Sequence, residues 1–169
     1  MLVIPPAVPS AQKPIHGFIE PMPTAKLKQL FPRDGSFDLR TGEPPRFTVF
    51  APAEPRAPRR VIGWAFWTID VLPAMLGYDG HIHMLIGMDT AQRLTGVIMD
   101  LNTEPYGPVS INRPEFAAQF KGKSIWDPFV VRRDIDFVSR ATISVRAAAE
   151  TIRESARAVA ARIPGAAKR

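Results

Sequence analysis

Three hydroxyl side chains, Ser139, Thr142 and Ser144, crowd the run SRATIS, where an acidic, apolar segment passes into an alanine-rich one. If a helix begins there, two chemistries compete. One hydroxyl, Ser139 or Thr142, can cap the helix by accepting from its unpaired N–H groups. Alternatively the mouth holds an anion. A helix N-terminus carries partial positive charge and offers several N–H groups together, which suits a phosphate. The small residues leave room for it, and Arg140 adds charge. Composition alone favours the cap.

Other constellations are weaker. His81 and His83 share one face of an alternating segment and could begin a zinc or copper site, but a third ligand is needed. Asp79 is near in sequence, His16 is distant and there is no cysteine. The expectation is two histidines packed or hydrogen-bonded at a sheet surface. Asp134 and Asp136 form an i,i+2 pair; as loop residues they are expected to bind backbone N–H groups. No Gly-x-Ser-x-Gly elbow accompanies the serines, and no Walker-type phosphate loop exists. With zero cysteines, disulfides, thiol catalysis and thiolate metal sites are excluded.

The elements that must position these residues are legible in outline. VIGWAFWTID (61–70) is aromatic and β-branched, with Ile62, Trp64 and Phe66 expected on one face. HIHMLIGMD (81–89) alternates, with Ile82, Met84, Ile86 and Met88 on one side and His81, His83, Leu85 and Gly87 on the other. RLTGVIMDLN (93–102) follows after a short connection and completes a hairpin. RFTVF (46–50) and DPFVVRR (127–133) read as further short strands. The connections are too short for crossover helices, so the sheet is antiparallel.

TAKLKQLFP gives one or two helical turns, and NRPEFAAQFKGK (112–123) a short helix. From about Ala141 to Ile163, Val145, Ala149, Ile152, Ala156, Val159 and Ile163 form one apolar stripe, and Pro164 and Gly165 stop the helix. The fold class is α+β: a twisted antiparallel sheet with a long C-terminal helix and a short helix packed on it, and an extended, proline-rich N-terminal arm.

The 169 residues suit one domain with a real core. A formal charge of +6 favours acidic partners. No nucleic-acid signature is visible, so the scattered basic residues read as a solvated surface and nucleic acid is not the expected partner. No apolar run is long enough to span a bilayer. The opening MLVIPPAVPSA lacks the basic start and uninterrupted apolar run of a signal peptide, which leaves two expectations open: a cytoplasmic protein, or a natural start other than Met1.

DFVSRAT, with Asp136, Ser139, Arg140, Ala141 and Thr142, resembles the signature of the FMN-binding domain family. That family includes the periplasmic domain of NosR/NirI-type membrane regulators and flavin subunits of bacterial ion-pumping NADH and ferredoxin complexes. Its motif, Asp-x-x-Ser-Gly-Ala-Thr, lies at a helix mouth, and a flavin transferase esterifies FMN to the threonine. GWAFWTIDV, GYDGHIHMLIGMD, LTGVIMDLNTEP and QFKGKS also resemble the NosR-type domain in order and spacing, so the similarity covers roughly residues 44 to 155.

The resemblance implies a division into an arm (1–45), an FMN-binding domain (46–165) and a basic tail (166–169). Thr142 falls on the attachment position, with Ser139, Arg140, Ala141 and Asp136 around the phosphate. The loops of Tyr78, Asp79 and Gly80 and of Glu104, Pro105 and Tyr106 approach the flavin, Tyr106 or Trp126 stacks on it, and Lys121, Lys123 or Arg140 supplies positive charge. Arg140 stands where the family has glycine, so two forms stay open: a phosphoester on Thr142, or a non-covalent FMN whose phosphate Arg140 holds. The implied role is electron transfer between redox or membrane protein partners in trans, in the periplasm. The competing expectation is a flavin-free accessory or structural subunit.

Overall fold

A computed structural model describes residues 20–32, 35–136 and 141–164. Its elements in chain order are α1 (Thr24–Leu30), β1 (Ser36–Phe37), β2 (Phe47–Phe50), β3 (Val61–Trp67), α2 (Thr68–Val71), β4 (His83–Asp89), β5 (Leu94–Leu101), α3 (Pro114–Ala118) and α4 (Thr142–Ala160). The strands form one antiparallel sheet in the order β1-β2-β3-β4-β5. Among the described residues, no helix is long and apolar enough to cross a membrane.

Strict alternation in β4 builds two cores, because each face of a strand takes every second residue. Met84, Ile86 and Met88 point with Ile82, Phe66 and Val97 into a cluster covered by α4 and by Phe116 and Phe120. Leu85 points the other way, with Phe47, Val49, Ala65 and Trp67, onto Leu27, Leu30 and Phe31. The predicted stripe of α4 supplies Val145, Ala149, Ile152, Ala156 and Val159 to the first cluster, with Ile163 packed against it. The second face is covered by α1, so the short helix read in the arm caps the sheet through fully buried Leu27.

Two features differ from the sequence reading. Ile62 does not share a face with Trp64 and Phe66. Val49 pairs with Gly63 and Phe50 with Val61, which leaves Ile62 as the extra residue of a bulge, and it packs with the α1-side cluster. Residues 127–133 form no strand. Val131 makes one isolated bridge, to Ile135, and Phe129 and Arg132 adopt positive φ. The Asp134 carboxylate accepts from the N–H groups of Phe129 (3.1 Å) and Val130 (2.7 Å), so a side chain takes the place of a partner strand.

Candidate functional site

The N-terminus of α4 gathers residues from three parts of the chain. Ala141 occupies the cap position with φ −115° and ψ 20°, and among the described residues no side chain caps the helix. Thr142 is the first helical residue, and therefore not the cap that its hydroxyl suggested. No acidic residue lies in the first turn. Ser139 and Arg140 lie outside the described residues. Ser144, buried in the first turn, donates its hydroxyl to Glu104 Oε2.

Glu104 holds the corner together. It follows β5 closely and is buried, at 4% exposure. Its Oε1 accepts from the N–H of Asp79 at 2.9 Å. The same loop is closed by the Gly77 N–H donating to the Gly80 carbonyl at 2.6 Å. Gly77 is required for close approach: a Cβ there would lie 2.3 Å from Glu104 Oε1. One carboxylate thus ties the 77–80 turn to the first turn of α4, where the helix end favours negative charge. The Glu104 N–H is in turn received by Asn102 Oδ1 at 3.2 Å.

Several apolar side chains near this anchor are exposed. Tyr78 (63% exposed), Tyr106 (48%) and Ile143 (59%) belong to the turn, the loop and the helix that Glu104 joins. Leu76 and Val109, nearby in sequence, are also exposed.

The structure therefore brings together Thr142, Ala141, Tyr78, Gly80, Glu104 and Tyr106. It places others elsewhere. The Leu94 N–H donates to the Lys123 carbonyl, so Lys123 sits at the start of β5 and Glu104 beyond its end. The seven steps from Leu94 to Leu101 span about 23 Å. The Lys123 ammonium lies 3.7 Å from Asp134. Trp126 donates to Gln92 Oε1 at 2.8 Å and lies under Arg157, whose guanidinium is 5.5 Å from the ring centre. Arg157 is about 22 Å along α4 from Thr142 at 1.5 Å per residue. Asp136 is exposed, and its N–H donates to Gln119 Oε1 at 2.7 Å.

A second polar cluster, on the α1 side of the sheet, was not expected. His83 is buried rather than on the sheet surface. It stacks on Trp67, with ring centres 4.6 Å apart and planes 12° from parallel. Its Nδ1 is 2.9 Å from Asp100 Oδ2, and Lys26 of α1 pairs with Asp100 Oδ1. Asp100 reaches His83 because Met84 pairs with Met99 and His83 with Leu101, leaving Asp100 as the bulged residue. Nearby Asp70 is bound by Arg40 at 2.6 Å. Burial pushes the His83 pKa below its ordinary value, against the opposing pull of Asp100 and Asp70. Burial pushes Asp70 up, against the opposing effect of Arg40. His81 is apart from this cluster, its Nδ1 3.2 Å from the Met75 carbonyl. Among the described residues, no group of three His, Cys, Asp or Glu side chains could hold a metal.

In comparisons with known proteins, no family model matches the chain and no curated protein matches it. The likeness to the FMN-binding domain family rests on the quoted segments.

Proposed function

We propose that the chain is an FMN-binding electron-transfer module, with the FMN phosphate at the N-terminus of α4 and Thr142 as the hydroxyl available for esterification. The observation that carries this reading is the helix mouth itself. Its first turn has no acidic residue and, among the described residues, no side-chain cap; it opens on Thr142, and exposed Tyr78, Tyr106 and Ile143 belong to the turn, loop and helix that Glu104 joins. An N-terminus free of acidic groups suits a phosphate, and exposed aromatic side chains suit a flat aromatic ring. Bound FMN supplies one- or two-electron transfer.

The chain's own residues orient and shield. The backbone N–H groups of the α4 first turn receive the anionic end. Tyr78 and Tyr106 lie against the ring and keep water from one face. Glu104 fixes the 77–80 turn relative to α4, which sets the width of the slot between them. Redox partners in trans, in the periplasm, would deliver and collect electrons at the exposed rim.

A second reading is a flavin-free accessory subunit, and Glu104 favours it. Its carboxylate already places negative charge beside the first turn of α4, bound to Ser144. Purification of the protein from its host separates the two. The flavin reading expects the yellow of an oxidised flavin. Intact mass then assigns the linkage: FMN mass on the wild type that Thr142→Ala removes means an ester, and yellow without added mass means a non-covalent site. Colourless, unmodified protein overturns the flavin reading and leaves the accessory one.

A further inference from the structure

The two edges of the sheet are protected unequally. The β1 edge is two residues long, whereas β5 has eight and, among the described strands, pairs with β4 alone. Short edges resist strand addition and long ones invite it. At its start β5 is partly covered: Leu94 exchanges bonds with Lys123 (2.9 Å) and Gly122 (2.7 Å). Its two bulges fall at Thr95 and Asp100, leaving Gly96–Met99 as a regular stretch between them. That stretch carries neither proline nor lysine, the usual edge blockers.

A groove of about 260 Å³ runs along this stretch. Thr95, Gly96, Val97 and Ile98 line it, between Gln29 and Leu30 of α1 on one side and Pro114, Ala117 and Ala118 of α3 on the other. An adjoining cavity of about 300 Å³ shares Leu30, Thr95 and Lys121 with it and adds Phe31, Ile62 and Leu94 as an apolar wall. The edge is thus recessed between two helices. A bare extended segment fits such a slot. The β5 edge of a second copy, flanked by its own α1 and α3, does not.

Charge narrows the occupant further. Lys121 lines both cavities and its side chain is exposed; Arg93 and Asp89 line the second, where Asp89 Oδ1 already accepts from the N–H groups of Ala91 and Arg93, so the two cations outnumber the one carboxylate. The chain carries +6 overall. We propose that the β5 edge is a docking groove for an extended, acidic peptide segment of another protein. The segment would add as a strand along Gly96–Met99, its apolar side chains entering the cavities and its carboxylates meeting Lys121 and Arg93. Main-chain pairing supplies affinity in this mode, and the alternate side chains supply selection. The inference is independent of what binds at α4.

The test uses the full chain and two pools of nine-residue, end-blocked peptides. In one pool glutamate alternates with valine, isoleucine, leucine or phenylalanine; in the other lysine replaces glutamate. Backbone amide NMR shifts and hydrogen exchange report the contact. The expected result is that the acidic pool shifts and protects the amides of residues 95–99, and that the lysine pool binds about fivefold or more weakly. Lys121→Glu, at an exposed position, should weaken the acidic pool by a similar factor. An acidic pool with proline at alternate positions should not bind, since proline cannot donate to a ladder. Equal binding of both charged pools overturns the proposal, as does the absence of change at residues 95–99. Dimerisation through the same amides in sedimentation would assign the edge to a second copy and overturn it too.

Discussion

Replacing Glu104 with alanine should detach the 77–80 turn from the first turn of α4. The magnitude follows from what is left behind. The buried Ser144 hydroxyl loses its acceptor, and so does the Asp79 N–H at 2.9 Å. A buried group stripped of its partner costs about 1–3 kcal/mol, and bonds to a charged acceptor lie toward the upper end. Asp79 is exposed, so its N–H can turn to water and adds little. The loss is about 2–3 kcal/mol, which for a chain of this length is a fall in Tm of about 4–12 °C. Urea unfolding of wild type, Glu104→Ala, Ser144→Ala and the double variant measures it. Ser144→Ala alone should cost about 1–2 kcal/mol, and much less in the Glu104→Ala background. The coupling between the two sites should therefore be about 1 kcal/mol or more. Glu104→Gln, which keeps the shape and an acceptor, should cost less than Glu104→Ala. A loss below about 0.5 kcal/mol for Glu104→Ala, the scale of an ordinary surface change, would refute the reasoning that this carboxylate fastens the corner.

Other outcomes follow from the same packing. Leu27→Ala should lower stability by about 2–5 kcal/mol in urea titration, because α1 closes one face of the sheet through a fully buried side chain. Gly63→Ala should cost about 1–3 kcal/mol, since its Cβ would lie 2.4 Å from the Met88 carbonyl oxygen and 2.7 Å from the Phe31 ring; thermal melts check it. His83 has a folded pKa below its ordinary 6.5, so the unfolded chain binds more protons between the two values. Its contribution is complete above 6.5 and declines as pH falls through that window. Asp70, raised by burial, has the opposite slope, beginning from its ordinary value of 3.8 and so acting on the acid side. Melts from neutral to mildly acidic pH should show Tm falling toward acid, with His83→Gln flattening the dependence.

The parts of this molecule set by local periodicity were legible. Met84, Ile86 and Met88 alternate with Leu85, and that pattern specified a doubly buried strand beside a hairpin partner. The stripe of α4 was equally plain. Failures arose where one residue changed the phase or a side chain replaced a strand. The extra residue at Ile62 reversed its side, and Asp134 turned 127–133 into a loop by taking backbone donors. Of the candidate corner, the quoted family likeness pointed to Glu104, Tyr78 and Tyr106, which lie on the loops that meet at α4. It did not reveal that Glu104 meets Ser144 forty positions away. Nor did it reveal the His83–Asp100–Lys26 chain, which depends on a bulge and on a helix from the proline-rich N-terminal region. Lys123 and Trp126 resembled flavin contacts in order along the chain, but order does not convey that β5 carries Lys123 far from Glu104 and that Trp126 lies under Arg157.

On the proposed reading, the start of α4 grips the anionic end of a flavin nucleotide. Parallel calorimetric titrations of the full chain with FMN and with riboflavin, which has the same ring and no phosphate, test it directly. FMN should bind about tenfold or more tightly than riboflavin, a difference of about 1.4 kcal/mol for an anion at a helix N-terminus, with amide shifts centred on residues 141–145. Equal affinities, or no binding of FMN to flavin-free protein whose native form is also colourless, would contradict it.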